Sequence, residues 1–372
     1  MVEDGTPRKS AKIIIYLWLL GCSMIIPHSR LLIDADDINS VKEVLASGHI
    51  AQGEKVKEFE TKFAKFVGTK YATAVSSGTS AIHLALTCLG VNKNDEVIMP
   101  SYVCSSPYMA TLHAGAMPRI VDINTSDFNI DVEATRKRIT SNTKAIIVPH
   151  MFGFPAEIEE LLDLGIPLIE DCAHSVGAEY KGKKVGTMAR ISIFSFYATK
   201  IMTTGEGGMI LTNEPEIHEK LMGVREYDGR SLNVTRYNCK MTDMEAALGS
   251  SQLNKLPSFI IRRRRIASLY SERFSHYKVI TPRTSSYKKP VFYRYIILTD
   301  KMEQIRTSAR NLGVMCERPV STPLHAGFAS IQCPNSDFVY RRALSIPLYP
   351  SLTDEEAIYV MESLESSIKK FE

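Results

Sequence analysis

The sequence lacks the features that mark nucleic-acid-binding, disulfide-stabilised and metal-binding proteins. Its 45 basic and 41 acidic residues leave a net charge of only +4 at pH 7, which is too small to indicate a nucleic-acid partner. Its seven cysteines are odd in number and form no Cys-x-x-Cys pair, so neither a metal site nor a disulfide framework is expected. Cysteines used in this way are typical of a reducing compartment, and we therefore expect a cytoplasmic protein.

Long apolar runs are also missing, apart from one stretch near the amino terminus. Residues 13–26 are densely apolar, contain the single Trp and follow Arg8, Lys9 and Lys12. A membrane-spanning helix needs about 20 apolar residues, so this stretch is too short. It is similar to the apolar part of a signal peptide, but no cleavage site of small residues follows it. We expect no membrane partner.

What is present is the composition of an ordinary globular protein. Hydrophobic residues make up 44% of the 372 positions, which is too many for a disordered chain. At about 150 residues per domain, this length indicates two or three domains. The 21 glycines and 17 prolines are scattered without a short period, which excludes collagen-like and coiled-coil rods.

Short apolar runs alternate with helical segments through the first half of the chain. Residues 54–67 place Val56, Phe59 and Phe63 on one face at helical spacing. The runs between the helices are continuously apolar, as strands buried on both faces are. Repeated strand–helix units therefore predict a mostly parallel sheet with helices on both sides. These strands are predicted at 71–75, 95–100, 118–123, 144–150 and 166–171.

The pattern changes after Asp171. Thr353 and Glu356 have the spacing of a capping box at the start of the last helix. Because no low-complexity linker is present, we expect a soft domain boundary near 250–280. Further strands are predicted at 191–197 and 208–212, a helical region from 242 to about 274, and a strand at 290–298 that opens a smaller α/β domain.

Two patterns resemble phosphate or nucleic-acid sites but fit other structures better. Gly177–Lys184 is close to a P-loop, but its last position is Lys instead of Ser or Thr, and strand-like sequence follows where a helix is required. We predict a hairpin turn at Lys181 and Gly182. The basic run Arg262–Arg265 lies in a helix beside apolar residues, which favours a solvated or interface face over a nucleic-acid site.

Three segments suit one chemistry when they are taken together. Ser76–Ser80 stands between a strand and a helix and can bind phosphate, although taken alone it fits plain helix capping better. Asp171 ends a buried strand, where its carboxylate suits either a protonated pyridine nitrogen or a cap. Lys200 ends a strand among hydroxyl and glycine residues and can form a Schiff base. Together the three describe a pyridoxal phosphate (PLP) site.

These segments resemble the DegT/StrS-type sugar-nucleotide aminotransferases, which have the fold-type I architecture of PLP enzymes. The resemblance is colinear and covers most of the chain. It implies an α/β fold: a large domain with a mostly parallel seven-stranded sheet between helices, and a smaller C-terminal α/β domain. The matching segments are SGHIAQGEKVKEFE (47–60), SSGTSAIHLAL (76–86), DEVIMPSY (95–102), HMFGFP (150–155), EDCAHSVGAEYKGKKVG (170–186), SFYATKIMTTGEGGMILTN (195–213), YNCKMTDMEAALGSSQLNKL (237–256) and LSIPLYPSLTDEE (344–356).

The resemblance also implies a role for each matched residue. Lys200 would carry PLP covalently and transfer the proton, and Asp171 would keep the pyridine nitrogen protonated. His174 would contact the ring near its 3-hydroxyl group. Asn238 would reach the phosphate from the partner subunit, which implies a homodimer with shared active sites. The phosphate itself would be bound by Gly78, Thr79, Ser80 and Ser195.

The implied reaction is a transamination in surface polysaccharide or amino-sugar biosynthesis. An amino-acid donor, expected to be glutamate, would convert PLP to pyridoxamine phosphate (PMP), and this form would aminate a keto sugar linked to a nucleoside diphosphate. No metal is expected. Related sugar dehydratases carry His in place of the lysine, so Lys200 argues against that alternative. The third alternative is a non-catalytic PLP-binding regulator, which no DNA-reading motif in the sequence supports.

The sequence departs from the family pattern at two places near the substrate side. Relatives often stack an aromatic residue on the cofactor ring at the position of Cys104, and Tyr102 or Tyr108 could substitute for it. The segment 316–325 stands where relatives have a substrate-facing loop and is not a common version of it. His325 and Tyr102 are therefore the candidates for substrate contact.

The amino terminus also bears on the domain organisation. Family members commonly begin with a short Ile/Pro segment, and Met24–Arg30 fits such a beginning. This predicts that residues 1–23 are a non-native or dispensable extension, so that a chain beginning at Met24 folds. Residues 24–255 would form the large PLP-binding domain with an amino-terminal arm, and residues 256–372 the small C-terminal domain.

Overall fold

The computed structural model describes residues 24–228, 233–282 and 284–372. The predicted extension at residues 1–23 lies outside the described residues and stays a prediction. The helices are α1 (Ala35–Ser47), α2 (Glu54–Val67), α3 (Gly78–Cys88), α4 (Ser106–His113), α5 (Val132–Arg138), α6 (Ile158–Leu162), α7 (Pro215–Val224), α8 (Asp243–Phe274), α9 (Met302–Asn311), α10 (Pro334–Arg342) and α11 (Asp354–Lys369). The strands are β1 (Tyr71–Val75), β2 (Glu96–Pro100), β3 (Met117–Val121), β4 (Thr143–Pro149), β5 (Leu168–Asp171), β6 (Glu179–Tyr180), β7 (Lys183–Lys184), β8 (Ile191–Ser195), β9 (Gly208–Thr212), β10 (Lys288–Lys289), β11 (Tyr295–Leu298) and β12 (Ala343–Ile346).

Seven of these strands form the central sheet, in the order β1-β9-β8-β5-β4-β2-β3. β2 pairs in parallel with β3 and β4, and parallel pairing continues through β5 to β8. β9 runs antiparallel to both β1 and β8. The connection at 196–207 contains no crossover helix, which would be needed to return the chain to the end of the sheet where β8 begins. The predicted mostly parallel α/β sheet flanked by helices is confirmed.

Alternate side chains of the strands enter two separate apolar cores. Ile146 and Val148 of β4 belong to the core that α2 and α8 cover. Ala145 and Ile147 of the same strand belong to the core that α3 covers. Because both faces of the sheet are buried, successive positions inside a strand, such as residues 145–148, are apolar, which accounts for the continuous runs in the sequence.

A smaller core lies in the C-terminal part of the chain. β11 pairs antiparallel with β12, and both pack with α9, α11 and the second half of α8. Ile26 is fully buried in this core, and its N–H donates to the Gly313 carbonyl at 2.9 Å. α8 runs without a break from Asp243 to Phe274, through the predicted boundary between 255 and 256. The division of the chain at that position stays a prediction.

Two local features refine the interpretation of the sequence. The strand predicted at 290–298 is shorter than expected, because Phe292 has a left-handed φ of 51° that a strand does not accommodate, and only Tyr295–Leu298 pair. The predicted hairpin at Lys181 and Gly182 is confirmed and joins β6 to β7. None of the helices in the described ranges combines the length and the apolar character that crossing a bilayer requires.

The basic run in α8 is only partly on a solvated face. Arg265 is exposed, and it pairs with Asp354 together with Arg262. Arg263 is buried, with 3% of its surface exposed, so it does not lie on the solvated or interface face that the sequence predicted. Its guanidinium donates to backbone carbonyls instead of to water. A helix that packs on both the sheet and the smaller core has too little free surface to expose four consecutive side chains.

Candidate functional site

Three strands bring the segments that the sequence analysis singled out to one edge of the sheet. β1, β5 and β8 run parallel to one another and end at Val75, Asp171 and Ser195. The carboxyl ends of such strands are where α/β proteins bind ligands. The residues that follow them include Gly78, Thr79, Ser80, His174 and Lys200.

The first turn of α3 forms a cradle against the end of β8. Ser77 caps the helix, and its Oγ accepts the N–H of Ser80 at 3.0 Å. A Cβ on Gly78 would lie 2.8 Å from Cβ of Ser195, so only glycine permits this approach. The N–H groups of Gly78 and Thr79 belong to the turn that has no partners inside the helix. Together with the Ser195 hydroxyl they suit a phosphate group.

The two acidic residues at the end of β5 point in different directions, as their positions in a strand require. The fully buried carboxylate of Glu170 accepts the backbone N–H groups of Gly186, Met188 and Ala189 at 2.6–2.9 Å. Asp171 lies on the opposite side, where, among the described residues, it accepts the Ala173 N–H alone, at 3.0 Å. Glu170 is therefore a structural anchor for the segment after β7, and Asp171 is the carboxylate at the site.

His150, Glu170 and Cys172 bring possible metal-ligand atoms within 4.8 Å of one another. Hydrogen bonds account for this arrangement. His150 Nδ1 accepts the Ala156 N–H at 3.0 Å, so its Nε2 is the nitrogen that donates to Glu170, at 3.3 Å. Both imidazole nitrogens are thus engaged, and Glu170 is engaged by backbone N–H groups as well.

Lys200 lies in the turn after β8, beside a stack of three aromatic rings. Its Nζ is 5.3 Å from the centroid of the Tyr293 ring. Tyr293 stacks on His174 with centroids 4.3 Å apart and an angle of 18° between the planes. Phe152 continues the stack on His174, at 6.1 Å and 9°. The His174 ring is therefore held between two aromatic rings next to the lysine.

The charges around Lys200 shift the protonation of its neighbours. Burial raises the pKa of Asp171, and the Ala173 N–H and Lys200 oppose this rise. Burial lowers the pKa of His174 well below its usual value, and Lys200 and Arg294 lower it further, so the imidazole is neutral at pH 7. Burial works to raise the pKa of Tyr293, but the charges of Lys200 and Arg294 outweigh it and lower that pKa overall. Perturbed groups of this kind cluster at functional sites.

Tyr293 and Arg294 are site residues that the sequence analysis missed. The Tyr293 hydroxyl is 3.2 Å from Oγ1 of Thr199, immediately before Lys200. Arg294 lies over the Tyr293 ring, with Cζ 4.7 Å from the centroid. Both residues fall inside the apolar and aromatic run at 290–298, which reads as an ordinary strand. Only the tertiary structure brings this segment to the end of β8.

Cys104, at the position where relatives stack an aromatic ring, lies at the edge of the site. The side chain is exposed on one side. Burial of its other side raises the pKa of the thiol. The charge of Lys200 opposes this rise, and the charge of Asp171 adds to it. Tyr108 packs near Phe328, with ring centroids 5.9 Å apart. The aromatic ring next to Lys200 is thus Tyr293, and neither of the tyrosines near Cys104 is in contact with the lysine in the described structure.

The two predicted substrate contacts are both held inside the protein. Tyr102 has no exposed surface, and its ring packs edge-on against Phe152 with centroids 6.3 Å apart. His325 is 7% exposed; its Nδ1 lies 2.5 Å from the Ser101 hydroxyl and its Nε2 lies 3.3 Å from Asp337. These contacts fasten the loop 316–325 to the end of β2. A role of either side chain in substrate binding stays a prediction.

Asn238 is exposed beside the cradle of its own chain. The neighbouring Cys239 donates its N–H to the Arg225 carbonyl at 3.0 Å and accepts the N–H of Ser76 at 2.9 Å. The backbone around Asn238 is therefore fixed to the segment that leads into α3, while the amide side chain points to the surface. Its predicted contact with a partner subunit stays a prediction.

Comparisons with known proteins agree with this geometry. Residues 32–365 match the model of the DegT/DnrJ/EryC1/StrS aminotransferase family. The chain is 35% identical to GDP-perosamine synthase of Escherichia coli O157:H7, over 87% of this chain and 93% of that protein.

Two solved structures are similar over nearly the whole chain. The PLP form of Spr1654 from Streptococcus pneumoniae has a TM-score of 0.88 and 26% identity, over 93% of this chain and 99% of that chain. The GDP-4-keto-6-deoxymannose-3-dehydratase ColD, a variant with bound GDP-perosamine, has a TM-score of 0.83 and 25% identity, over 91% and 99%. The family match includes the central sheet, the cradle at the start of α3 and the turn that carries Lys200. The chain therefore belongs to the DegT/DnrJ/EryC1/StrS aminotransferase family.

Proposed function

We propose that this protein is a PLP-dependent aminotransferase that transfers an amino group from an amino acid, glutamate being our expectation, to a keto sugar linked to a nucleoside diphosphate. The observation that carries the proposal is that a lysine, a buried carboxylate and a phosphate-sized cradle meet at one edge of the sheet. The similarity to a GDP-perosamine synthase supports the substrate class. The similarity to a structure in a PLP form supports the cofactor.

The residues at the site fit PLP on structural grounds. Gly78 leaves open the space against Ser195 that a Cβ would fill. Asp171 is buried at the strand end, with a single backbone N–H as its hydrogen-bond donor in the described structure. The cradle of Gly78, Thr79, Ser80 and Ser195 would hold the phosphate, and Asp171 would pair with the pyridine nitrogen. When bound, PLP supplies an electron sink for the bond changes at the substrate carbon.

Lys200 is the residue that we assign to covalent attachment and to proton transfer. An amine acts as nucleophile and base only in its neutral form. In the proposed reaction, Lys200 would act as the base of the 1,3-proton transfer, taking the proton from the donor carbon. Tyr293 fixes the direction of the lysine chain by contact with its ammonium group.

His174 and Asp171 would hold the cofactor ring in register with Lys200. A neutral imidazole can accept or donate a hydrogen bond at the edge of the ring without adding charge. The aromatic rings of Phe152 and Tyr293 fix its plane. A carboxylate of Asp171 beside the pyridine nitrogen would stabilise the protonated ring.

We propose in addition that the protein is a homodimer in which Asn238 completes the site of the partner subunit. Asn238 is exposed and stands on a backbone that is fixed beside the cradle. α1 buries Val44 but leaves Ile38 and Leu45 60% and 56% exposed. Residues seven apart lie on one face of a helix, so these two form an apolar stripe that a second copy could cover.

Replacement of Lys200 tests the cofactor assignment. Purified protein with added PLP should show a visible absorption band that borohydride abolishes, because the imine is reduced. Lys200→Ala should lack this band and lose about 10²–10⁴-fold in transamination rate, the usual contribution of a proton-transfer group. The rate is measured by mass spectrometry with glutamate and a panel of keto sugar nucleotides.

Lys183→Ala is the matched control, because Lys183 lies in the β6–β7 hairpin and is exposed. It should keep both the band and the rate. Well-folded wild-type protein without the band would contradict the proposal. Loss of water or ammonia from a sugar without any amino donor would favour a dehydratase instead.

A further inference from the structure

Arg294 is a cation near the site that has no acidic partner. Its side chain is half-buried, and among the described ranges no carboxylate forms an ion pair with it. Its contacts are the Tyr293 ring, 4.7 Å from Cζ, and the Tyr293 hydroxyl, 3.4 Å from one amino group. Arg342, in the same part of the chain, pairs with Asp300 at 2.7 Å. A guanidinium that has lost water without gaining a counter-charge is unfavourable until an anion binds.

The backbone that carries Arg294 is held in place by a second arginine. Buried Arg263 donates from one amino group to the carbonyls of Phe292 and Tyr293, each at 3.2 Å, and to that of Leu348 at 2.9 Å. Phe292 has a left-handed φ of 51°, a backbone conformation that is unfavourable for an aromatic residue. The segment is thus fixed in an unfavourable conformation, which is a common property of binding sites.

The position of Arg294 suits a group attached to the molecule that reacts at Lys200. Both cations lie close to the Tyr293 ring, whose centroid is 5.3 Å from Lys200 Nζ and 4.7 Å from Arg294 Cζ. These distances place the cations within about 10 Å of each other. The phosphate of the cofactor is already provided for by the cradle of Gly78, Thr79 and Ser195. Arg294 is therefore available for a different anion.

We propose that Arg294 binds an oxyanion of the substrate beside Lys200. This inference rests on the proposed function, which supplies two such groups. The amino donor carries a carboxylate next to the reacting carbon, and the sugar nucleotide carries a diphosphate on its sugar. The planar guanidinium can form paired hydrogen bonds with either group.

The experiment compares Arg294→Gln and Arg294→Lys with the wild-type full-length protein loaded with PLP. Glutarate represents the donor carboxylates, and inorganic pyrophosphate represents the diphosphate. Both are titrated by calorimetry, and KM is measured for glutamate and for the best sugar nucleotide. Arg264→Gln is the matched control, because Arg264 is also half-buried and donates to the backbone carbonyls of Pro290 and Lys289.

Arg294→Gln should weaken the binding of one probe by about tenfold or more, as expected for a lost charge-assisted hydrogen bond. KM for the matching substrate should rise by a similar factor. Arg294→Lys should keep part of the affinity, and Arg264→Gln should behave as wild type. A loss confined to glutarate assigns the donor carboxylate, and a loss confined to pyrophosphate assigns the diphosphate. A loss of both assigns a shared anion site.

Unchanged binding of both probes by Arg294→Gln would overturn the inference, and so would wild-type protein that binds neither probe. The visible band of bound PLP separates this failure from a failure of the proposed function. If wild type and Arg294→Gln both show the band but bind the probes equally, only the inference fails. If wild type shows no band, the proposed function itself fails.

Discussion

At the scale of single residues, β5 ends in two neighbouring carboxyl groups whose pKa values are shifted in opposite directions. Burial raises the pKa of Asp171 above its usual value. In Glu170, the His150 hydrogen bond and backbone N–H groups outweigh burial and lower the pKa. The first carboxyl group is held at a cost in stability, and the second contributes to stability. This difference separates a group kept for chemistry from a group kept for structure.

Asp171→Asn should therefore stabilise the cofactor-free protein while it damages the reaction. A folded state with a raised carboxyl pKa binds its proton more tightly than the unfolded chain. The free energy of unfolding thus falls as pH rises from the ordinary value of 3.8 through the raised pKa, and stays lower above it. Asn removes that penalty, so the free energy of unfolding at pH 7 should rise. Transamination should fall on the order of 100-fold or more, the usual effect of lost electrostatic stabilisation.

Glu170→Gln is the contrasting variant on the same strand. Its carboxylate is fully buried and accepts charge-assisted hydrogen bonds, so the variant should lose about 2–4 kcal/mol of unfolding free energy at pH 7. Because the folded pKa of Glu170 is lowered, its contribution should disappear as pH falls through that pKa. Urea unfolding at several pH values measures both effects. A parallel response of the two variants would contradict the assignment of separate roles.

At the scale of elements, the cradle depends on close contact between α3 and β9. A Cβ on Gly208 would collide with the carbonyl of Ser77, the capping residue of α3. Gly208→Ala should therefore move the start of the helix, lower the unfolding free energy by about 1–3 kcal/mol and weaken PLP binding. Gly327→Ala is the control, because nothing lies within 4 Å of its added Cβ. Thermal unfolding and PLP titration by absorbance measure the effects, and unaltered PLP affinity in Gly208→Ala would count against the cradle.

The elements that the sequence predicted well are those whose buried apolar residues recur at a regular spacing along the chain. α2 and the parallel strands follow directly from helical spacing and continuous apolar runs. The antiparallel direction of β9 does not follow from the residues of the strand itself; it follows from the connection at 196–207, which contains no crossover helix. The motifs singled out Lys200 and Asp171 because Asp171 ends β5 and Lys200 follows closely after β8.

Tyr293 and Arg294 could not be located in the same way. They reach the site through the left-handed turn at Phe292 and the hydrogen bonds of Arg263, and both depend on contacts between distant segments. His325 shows the opposite case. The sequence placed it within the segment 316–325, where relatives have a substrate-facing loop, and only the structure shows its contacts with Ser101 and Asp337.

At the scale of the whole molecule, the proposed homodimer makes each site a joint product of two chains. A mixture of Lys200→Ala and Asn238→Ala protomers should then recover activity that neither variant has alone. Random pairing of equal amounts should give about one quarter of the wild-type sites, since half of the dimers are mixed and each holds one intact site. Activity after mixed refolding, together with the mass from light scattering, measures this. Activity equal to the mean of the two separate variants would refute shared sites.

The burial of Ile26 in the smaller core has a consequence for the order of events during synthesis. Its neighbours in that core include Val314 and Ile346, roughly three hundred positions later in the chain. Arg30 likewise pairs with Glu356. The segment at 24–30 must wait, while the ribosome makes nearly all of the remaining protein, before its partners exist. Contacts of such sequence separation form slowly, so the smaller core should be the last part to become resistant to proteases.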